Sequence, residues 1–405
     1  MPLPWIGLLI VSFGCRAADA RVLPARQRLD IESGVDSIVL PRFRADSFSG
    51  VVMIAKNGVP VYERAFGTAN RQSHSAMQLD TRLQTASATK LFTNIAIRQL
   101  EQAGRLRFSD TVGRFLPNYP NPVVRSQVTV EQLLTHRSGV GSFWNAKYMQ
   151  TASTVRTTND YMSLFQDDSL LFPPGTKQTY SNGGFVLLGA IIEKVSGQSY
   201  SDYVHDHIFL PAGMVSTVPF DNRIARPNIA IGYTTQSLGG SPSGDSRLAG
   251  GGPRPGMGGA AGAPTAPPPG MQLMLIGPDG KQLSPEQVRA AQAERAAPGA
   301  VRQPNSPMMP GFSSPAGDYL STAGDLIRLG AALSSHRLLD SLHTQALLGP
   351  QFTTGADFRA NGGAPGVNAE FSMFANGYTM VVLSNYDPPS ATTIAQSIRP
   401  LLAGR

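Results

Sequence analysis

The sequence predicts an α+β fold, because it places an apolar hairpin near each end of the chain and a mainly helical stretch between them. Gly50 to Ala55 and Val59 to Phe66 flank Asn57-Gly58, while Val367 to Ala375 and Thr379 to Ser384 flank Asn376-Gly377. Asn-Gly supports the left-handed backbone of a two-residue turn, so both pairs read as β-hairpins. Paired with each other they form one antiparallel sheet, covered on one face by the terminal helices. With 405 residues, 41% of them hydrophobic, the chain can build a large core in one or two domains.

Met1 to Ala20 contains an apolar stretch, Trp5 to Phe13, too short to span a bilayer and followed by the small-x-small pattern Ala18-Asp19-Ala20. It reads as a signal peptide, with a periplasmic or secreted destination and no membrane span after processing. No Lys or Arg precedes the apolar stretch, so the amino terminus alone supplies the positive charge. Cys15, the only cysteine, falls within this leader, and Ser12 stands where a lipoprotein acylation site has a large aliphatic residue. Cleavage after Ala20 leaves no disulfide and no thiol.

Leu29 to Phe43 has helical spacing, and the next helix begins at Ser87 and runs through Leu91, Phe92, Ile95, Ala96 and Leu100 to Gly104. Thr129 to His136 is a short helix with a Thr129/Gln132 capping box; Phe185 to Val195 is a buried helix ended by Gly197; Ala391 to Leu402 closes the chain as a helix. Gln236 to Pro310 interrupts this order as a flexible insertion, since Gly239 to Gly270 is almost entirely Gly, Pro, Ala and Ser. Inside it, Met271 to Ile276 with Pro278-Asp279-Gly280 reads as a strand and turn, and Ser284 opens a capped helix through Ala297. The net charge is +7, but the 34 Lys and Arg are scattered, with no basic run interleaved with aromatics, so no nucleic-acid partner is expected.

Ser87-Ala88-Thr89-Lys90 puts a hydroxyl and an amine on one face of a helical turn. A serine hydroxyl becomes a nucleophile when a neighbouring base takes its proton, and a lysine whose pKa is lowered by burial is such a base. Most Ser-x-x-Lys sequences are an N-cap and a solvated lysine. Here, however, Lys90 precedes Leu91, Phe92, Ile95, Ala96 and Ile97, a helix too apolar for the surface. In Tyr180-Ser181-Asn182, an extended backbone would point the phenol and the amide to one side, although this pattern carries little information by itself.

Ser87-x-x-Lys90, Tyr180-x-Asn182 and a Gly-rich segment near the C-terminus resemble the three motifs of penicillin-recognising serine enzymes. The nearest branch comprises class C β-lactamases, D-alanyl-D-alanine carboxypeptidases and related esterases. Leu133 to Gly139, Phe172 to Gly175 and Ser321 to Leu326 support the likeness, which spans Leu29 to Tyr233 and Met309 to Leu402. The resemblance implies a β-lactamase/transpeptidase-like fold with an all-helical region, catalytic Ser87, Lys90 and Tyr180, and substrate-binding Asn182, Asn361, Gly362 and Gly363. It also implies an oxyanion hole from the backbone N–H groups of Ser87 and Gly363.

Aligning the third motif on Gly362 to Gly366 puts Ala360 where the family has Lys or His, in the pocket opposite Tyr180. A missing cation disfavours carboxylate-bearing substrates. The expectation is a serine hydrolase acting through an acyl-enzyme on an ester, a β-lactam or a D-amino-acid peptide, esterase-like ahead of efficient β-lactamase. Its partner would be a small-molecule or peptidoglycan-like acyl compound. The alternatives are a catalytically weak envelope binding protein that keeps the fold, and an acyltransferase. No cofactor or metal is expected: His136 sits at a helix end, His205 and His207 have i,i+2 spacing, and the glycines from Gly251 to Gly259 follow no strand.

Overall fold

A computed structural model describes residues 23–236, 301–306, 309 and 311–403. Its long elements are helix α1 (Ala25–Arg44), strands β1 (Gly50–Lys56) and β2 (Val59–Phe66), helices α2 (Lys90–Gln102), α3 (Asn182–Ser196) and α4 (Ala323–Ser334), strands β3 (Phe358–Ala364), β4 (Val367–Met373) and β5 (Tyr378–Ser384), and helix α5 (Ser390–Ala403). The strands form one antiparallel sheet in the order β3-β4-β5-β1-β2. At the first hairpin Asn57 and Gly58 adopt φ of 50° and 81°, the left-handed pair that such a turn requires. The two hairpins join where β1 pairs with β5, from Gly50↔Ser384 to Lys56↔Tyr378.

Alternation along the strands divides two cores. Val52, Ile54, Met380 and Val382 pack with Ile31, Val35 and Val39 of α1 and Ile394 and Ile398 of α5. Val51, Met53, Ala55, Val381 and Leu383 join the core of the helical region. Because helices cover both faces, β1 reads as an unbroken apolar run.

The helical middle follows its local signals, with the Thr129/Gln132 capping box formed and Gly197 ending α3 at φ 78°. Two boundaries differ from expectation. The turn at Ser87 is 3₁₀, from Ala86 to Thr89, and the α-helix starts at Lys90. Asn182 is the first residue of α3 instead of part of an extended run, because the Ser181 side chain caps the helix there by accepting from the Gly184 N–H at 2.8 Å.

Of the segment read as an insertion, Gln303–Pro304 belongs to the folded body as a strand paired with Tyr233–Thr234. Asn305 follows it, its N–H donating to Gly232 O at 2.8 Å and its amide to Pro365 O at 2.8 Å. The leader Met1 to Ala20 and the strand, turn and helix read within 271–297 lie outside the described residues. Among the described residues, no helix is long and apolar enough to cross a membrane.

Candidate active site

The site forms where the start of α2, the start of α3 and strand β3 meet. Ala86 turns the chain left-handed (φ 43°) immediately before Ser87, a strained conformation for a residue with a Cβ. The turn is held by the Ala88 N–H donating to Thr85 O and by Thr89 Oγ1 donating to Ala86 O. Ser87 is half-buried, while Lys90, one turn further on, is only 3% exposed.

Lys90 Nζ lies 3.1 Å from Ser87 Oγ and 2.8 Å from Asn182 Oδ1, and it also bonds Ala316 O. Tyr180 Oη is 2.6 Å from Ser87 Oγ. Four side chains from two distant segments are therefore joined in one hydrogen-bonded chain. Burial lowers the Lys90 amine to about 7, with Asp318 pulling weakly the other way. Desolvation also raises the Tyr180 phenol well above its usual range. Near neutral pH, then, the amine can give up its proton and the phenol keeps its own. A neutral Lys90 has two N–H donors, which suit Asn182 Oδ1 and Ala316 O, and a lone pair left for the Ser87 hydroxyl.

His136 sets the second motif in place. Its carbonyl accepts from the Thr179 N–H at 2.9 Å and its Nδ1 accepts from the Ser181 N–H at 3.1 Å, so the residues on both sides of Tyr180 are fixed. The ring lies 4.8 Å from that of Tyr180, and burial, with Lys90 adding to it, drives its pKa down to about 3. His136 is therefore a neutral imidazole with its proton on Nε2.

Strand β3 brings Gly362 against the turn that carries Ser87. A Cβ there would lie 2.2 Å from Thr85 O and 2.7 Å from the backbone nitrogens of Ser87 and Ala88. No described group accepts a hydrogen bond from the Ser87 N–H, which leaves it available to a substrate oxygen. Gly363, the next residue, has Pro388 where a side chain would go, on the opposite face of the strand.

Asn361 departs from expectation. Its amide donates to Glu370 Oε2, 3.2 Å away and directly opposite in register, and Glu370 is bound in turn by Arg399 of α5 at 3.0 Å. Alternate residues of a strand point to opposite faces, so Asn361 faces α5 when Gly362 faces Ser87. Its side chain does not join the site. Ala360 does share the face of Gly362, but it is 5% exposed and packed in the helical core, opposite Phe371, instead of lining an open pocket.

His205 and His207 are exposed in a π-helical segment, one against Asp206 and the other against Gln198. The described residues contain no group of three or more potential metal ligands. The sequence reading missed Asp318, Ala316 and the clamp made by His136. His136 lay in a stretch already quoted for the resemblance, whereas nothing local marked Ala316 or Asp318.

The family model described as Beta-lactamase matches residues 35–402. Among curated proteins, penicillin-binding protein 4* of Bacillus subtilis is 34% identical over 192 residues, 46% of this chain and 42% of that protein. The chain thus aligns with less than half the length of that relative. Among solved structures, a penicillin-binding protein from Bacillus halodurans is 25% identical, with a TM-score of 0.68 over 91% of this chain and 99% of that one. EstCE1, described as a hydrolase with promiscuous acyltransferase activity, shares the fold at a TM-score of 0.65 and 19% identity, over 94% of this chain and 100% of its own. With the family model spanning nearly all of the folded chain, and with the sheet and helices of a penicillin-binding protein around Ser87, this protein belongs to the β-lactamase family.

Proposed function

We propose that the protein is a serine hydrolase acting through an acyl-enzyme on an ester, a β-lactam or a D-amino-acid peptide, with esters ahead of β-lactams. The hydrogen-bonded chain of Lys90, Ser87 and Tyr180, with Asn182 holding Lys90, carries this reading. Ser87 Oγ forms a bond to the acyl carbon as its proton passes to Lys90 Nζ. The Tyr180 hydroxyl delivers a proton to the departing alcohol or amine and is restored from Lys90. Water, activated by the same groups, then cleaves the acyl–Ser87 bond and releases the acid.

The preference for esters rests on the third motif, where Ala360, packed in the core, stands in place of the family's Lys or His and no cation is supplied for a substrate carboxylate. An envelope binding protein would have no use for a buried amine lowered to about 7 beside a serine hydroxyl. The leader read at Met1 to Ala20 supports a periplasmic or secreted location, where peptidoglycan-like acyl compounds are among the candidate substrates.

Intact-mass spectrometry after incubation with a fluorophosphonate and, separately, with a penicillin tests the proposal. Phosphonate labelling that disappears in Ser87→Ala is expected, together with loss of p-nitrophenyl butyrate hydrolysis. Hydrolysis by Ser87→Ala within about threefold of wild type, under about 0.7 kcal/mol in barrier, would refute the nucleophile. Faster labelling by penicillin than by phosphonate would reverse the substrate order.

A further inference from the structure

We propose that Asp318 recognises a positively charged group beside the scissile carbonyl, so that the preferred acyl donors are α-amino acyl esters or amides with a free ammonium. This rests on the acyl-enzyme reading above and narrows its substrate class.

Asp318 lies two residues beyond Ala316, the carbonyl partner of Lys90, and its own N–H donates at 3.2 Å to the carbonyl of Ala86, the residue before the nucleophile. Between them, Gly317 packs so tightly on the nucleophile turn that a Cβ would lie 2.9 Å from Ala86 O. The whole segment is therefore part of the wall around Ser87.

Two features of Asp318 oppose folding. Its backbone is left-handed, φ 74°, where glycine would be unstrained. Its side chain belongs to a residue only 8% exposed, and no described residue donates a hydrogen bond to the carboxylate. Buried carboxylates normally collect donors, and one left without them is costly unless something outside the fold provides them.

The neighbours do not meet that need. Tyr148, Tyr161 and Tyr180 feel its charge, but the Tyr148 hydroxyl is turned to that of Tyr161, the Tyr161 hydroxyl bonds Phe312 O and the Tyr180 hydroxyl lies on Ser87 Oγ. Lys90 is the cation that acts on Asp318, yet its three hydrogen-bond partners are Ser87, Asn182 and Ala316, and it must be neutral to take the serine proton. His136 stays neutral. Burial raises the Asp318 carboxyl to about 6 even though Lys90 opposes the rise, so a second cation at this point would favour its ionised form. A substrate ammonium would bring both the charge and the N–H donors that the carboxylate lacks. Ala360, packed in the helical core, supplies no cation that would select a substrate carboxylate instead.

The test compares the ethyl esters of D- and L-alanine with ethyl isobutyrate, in which a methyl replaces the ammonium at nearly the same size. Rates are measured at pH 7 on the full chain as wild type, Asp318→Asn and Asp318→Gly; glycine suits the positive φ, so that variant folds even if asparagine is strained. The ratio of kcat/KM for an alanine ester over isobutyrate should fall about 10- to 100-fold in both variants, the loss expected for a charge-assisted hydrogen bond. Equal loss on all the esters would assign Asp318 to Lys90 instead and overturn the inference, as would an unchanged ratio. Wild type that takes phosphonate on Ser87 but hydrolyses only isobutyrate, or no ester of the set, would overturn it while leaving the acyl-enzyme reading intact. Absence of any labelling of Ser87 would remove that reading, and this inference with it.

Discussion

Replacing Gly362 by alanine tests how closely β3 lies on the turn that carries Ser87. The new methyl would sit 2.2 Å from Thr85 O and 2.7 Å from the nitrogens of Ser87 and Ala88, about 1 Å inside ordinary contact. All three atoms are backbone, so no side-chain rotation relieves the clash. Either the strand or the turn must move by about 1 Å, displacing the Ser87 N–H relative to β3. Misplacement on that scale lowers kcat/KM by about 10²-fold, equivalent to about 2.7 kcal/mol of barrier. Overpacking alone costs about 1 to 3 kcal/mol of stability. The assay is initial-rate hydrolysis of p-nitrophenyl butyrate, with thermal unfolding measured on the same samples. Gly324→Ala is the control: its added Cβ meets nothing closer than the Arg328 guanidinium at 3.7 Å, and alanine in α4 should stabilise by up to about 1 kcal/mol. Wild-type rates and an unshifted melting temperature in Gly362→Ala would refute the contact between β3 and Ser87.

Two further outcomes follow from the site's electrostatics and packing. With the Lys90 amine lowered to about 7 and acting as base, kcat/KM for acylation should rise roughly tenfold per pH unit below 7 and level off above it, because the inactive species is the protonated amine; a flat profile from pH 5 to 8 would exclude Lys90 as the base. Ala360→Lys should lower stability by about 1 to 3 kcal/mol in denaturant unfolding, since the new chain enters a packed core opposite Phe371, and an unchanged midpoint would show a solvated cleft there instead.

Local chemistry made much of the architecture legible. Asn-Gly turns, strand alternation and the Thr129/Gln132 and Gly197 caps act over a few residues, and each appears where the sequence places it. Lys90 could be singled out because an amine in an otherwise apolar helix is out of place, and Ser87 follows from Lys90 by one helical turn. Strand β3, by contrast, had no turn or alternation of its own to mark it and entered only through the family's third motif. Asn361 came into the site with that motif through the resemblance, although its neighbour Gly362 points to the opposite face of the strand.

By itself, then, the amino-acid sequence determined the hairpins, the helices and the Ser87–Lys90 pair, all of which depend on contacts between near neighbours in the chain. Only the tertiary structure decided that Asn361 belongs to the Glu370–Arg399 face, that Ala360 is packed, that His136 brackets Tyr180, and that Asp318 stands beside Lys90 without a hydrogen-bond donor. The physical reason is that burial and long-range pairing create these environments. Lys90 and Asp318 carry ordinary side chains until the fold removes their water, and only then is the amine lowered and the carboxyl raised.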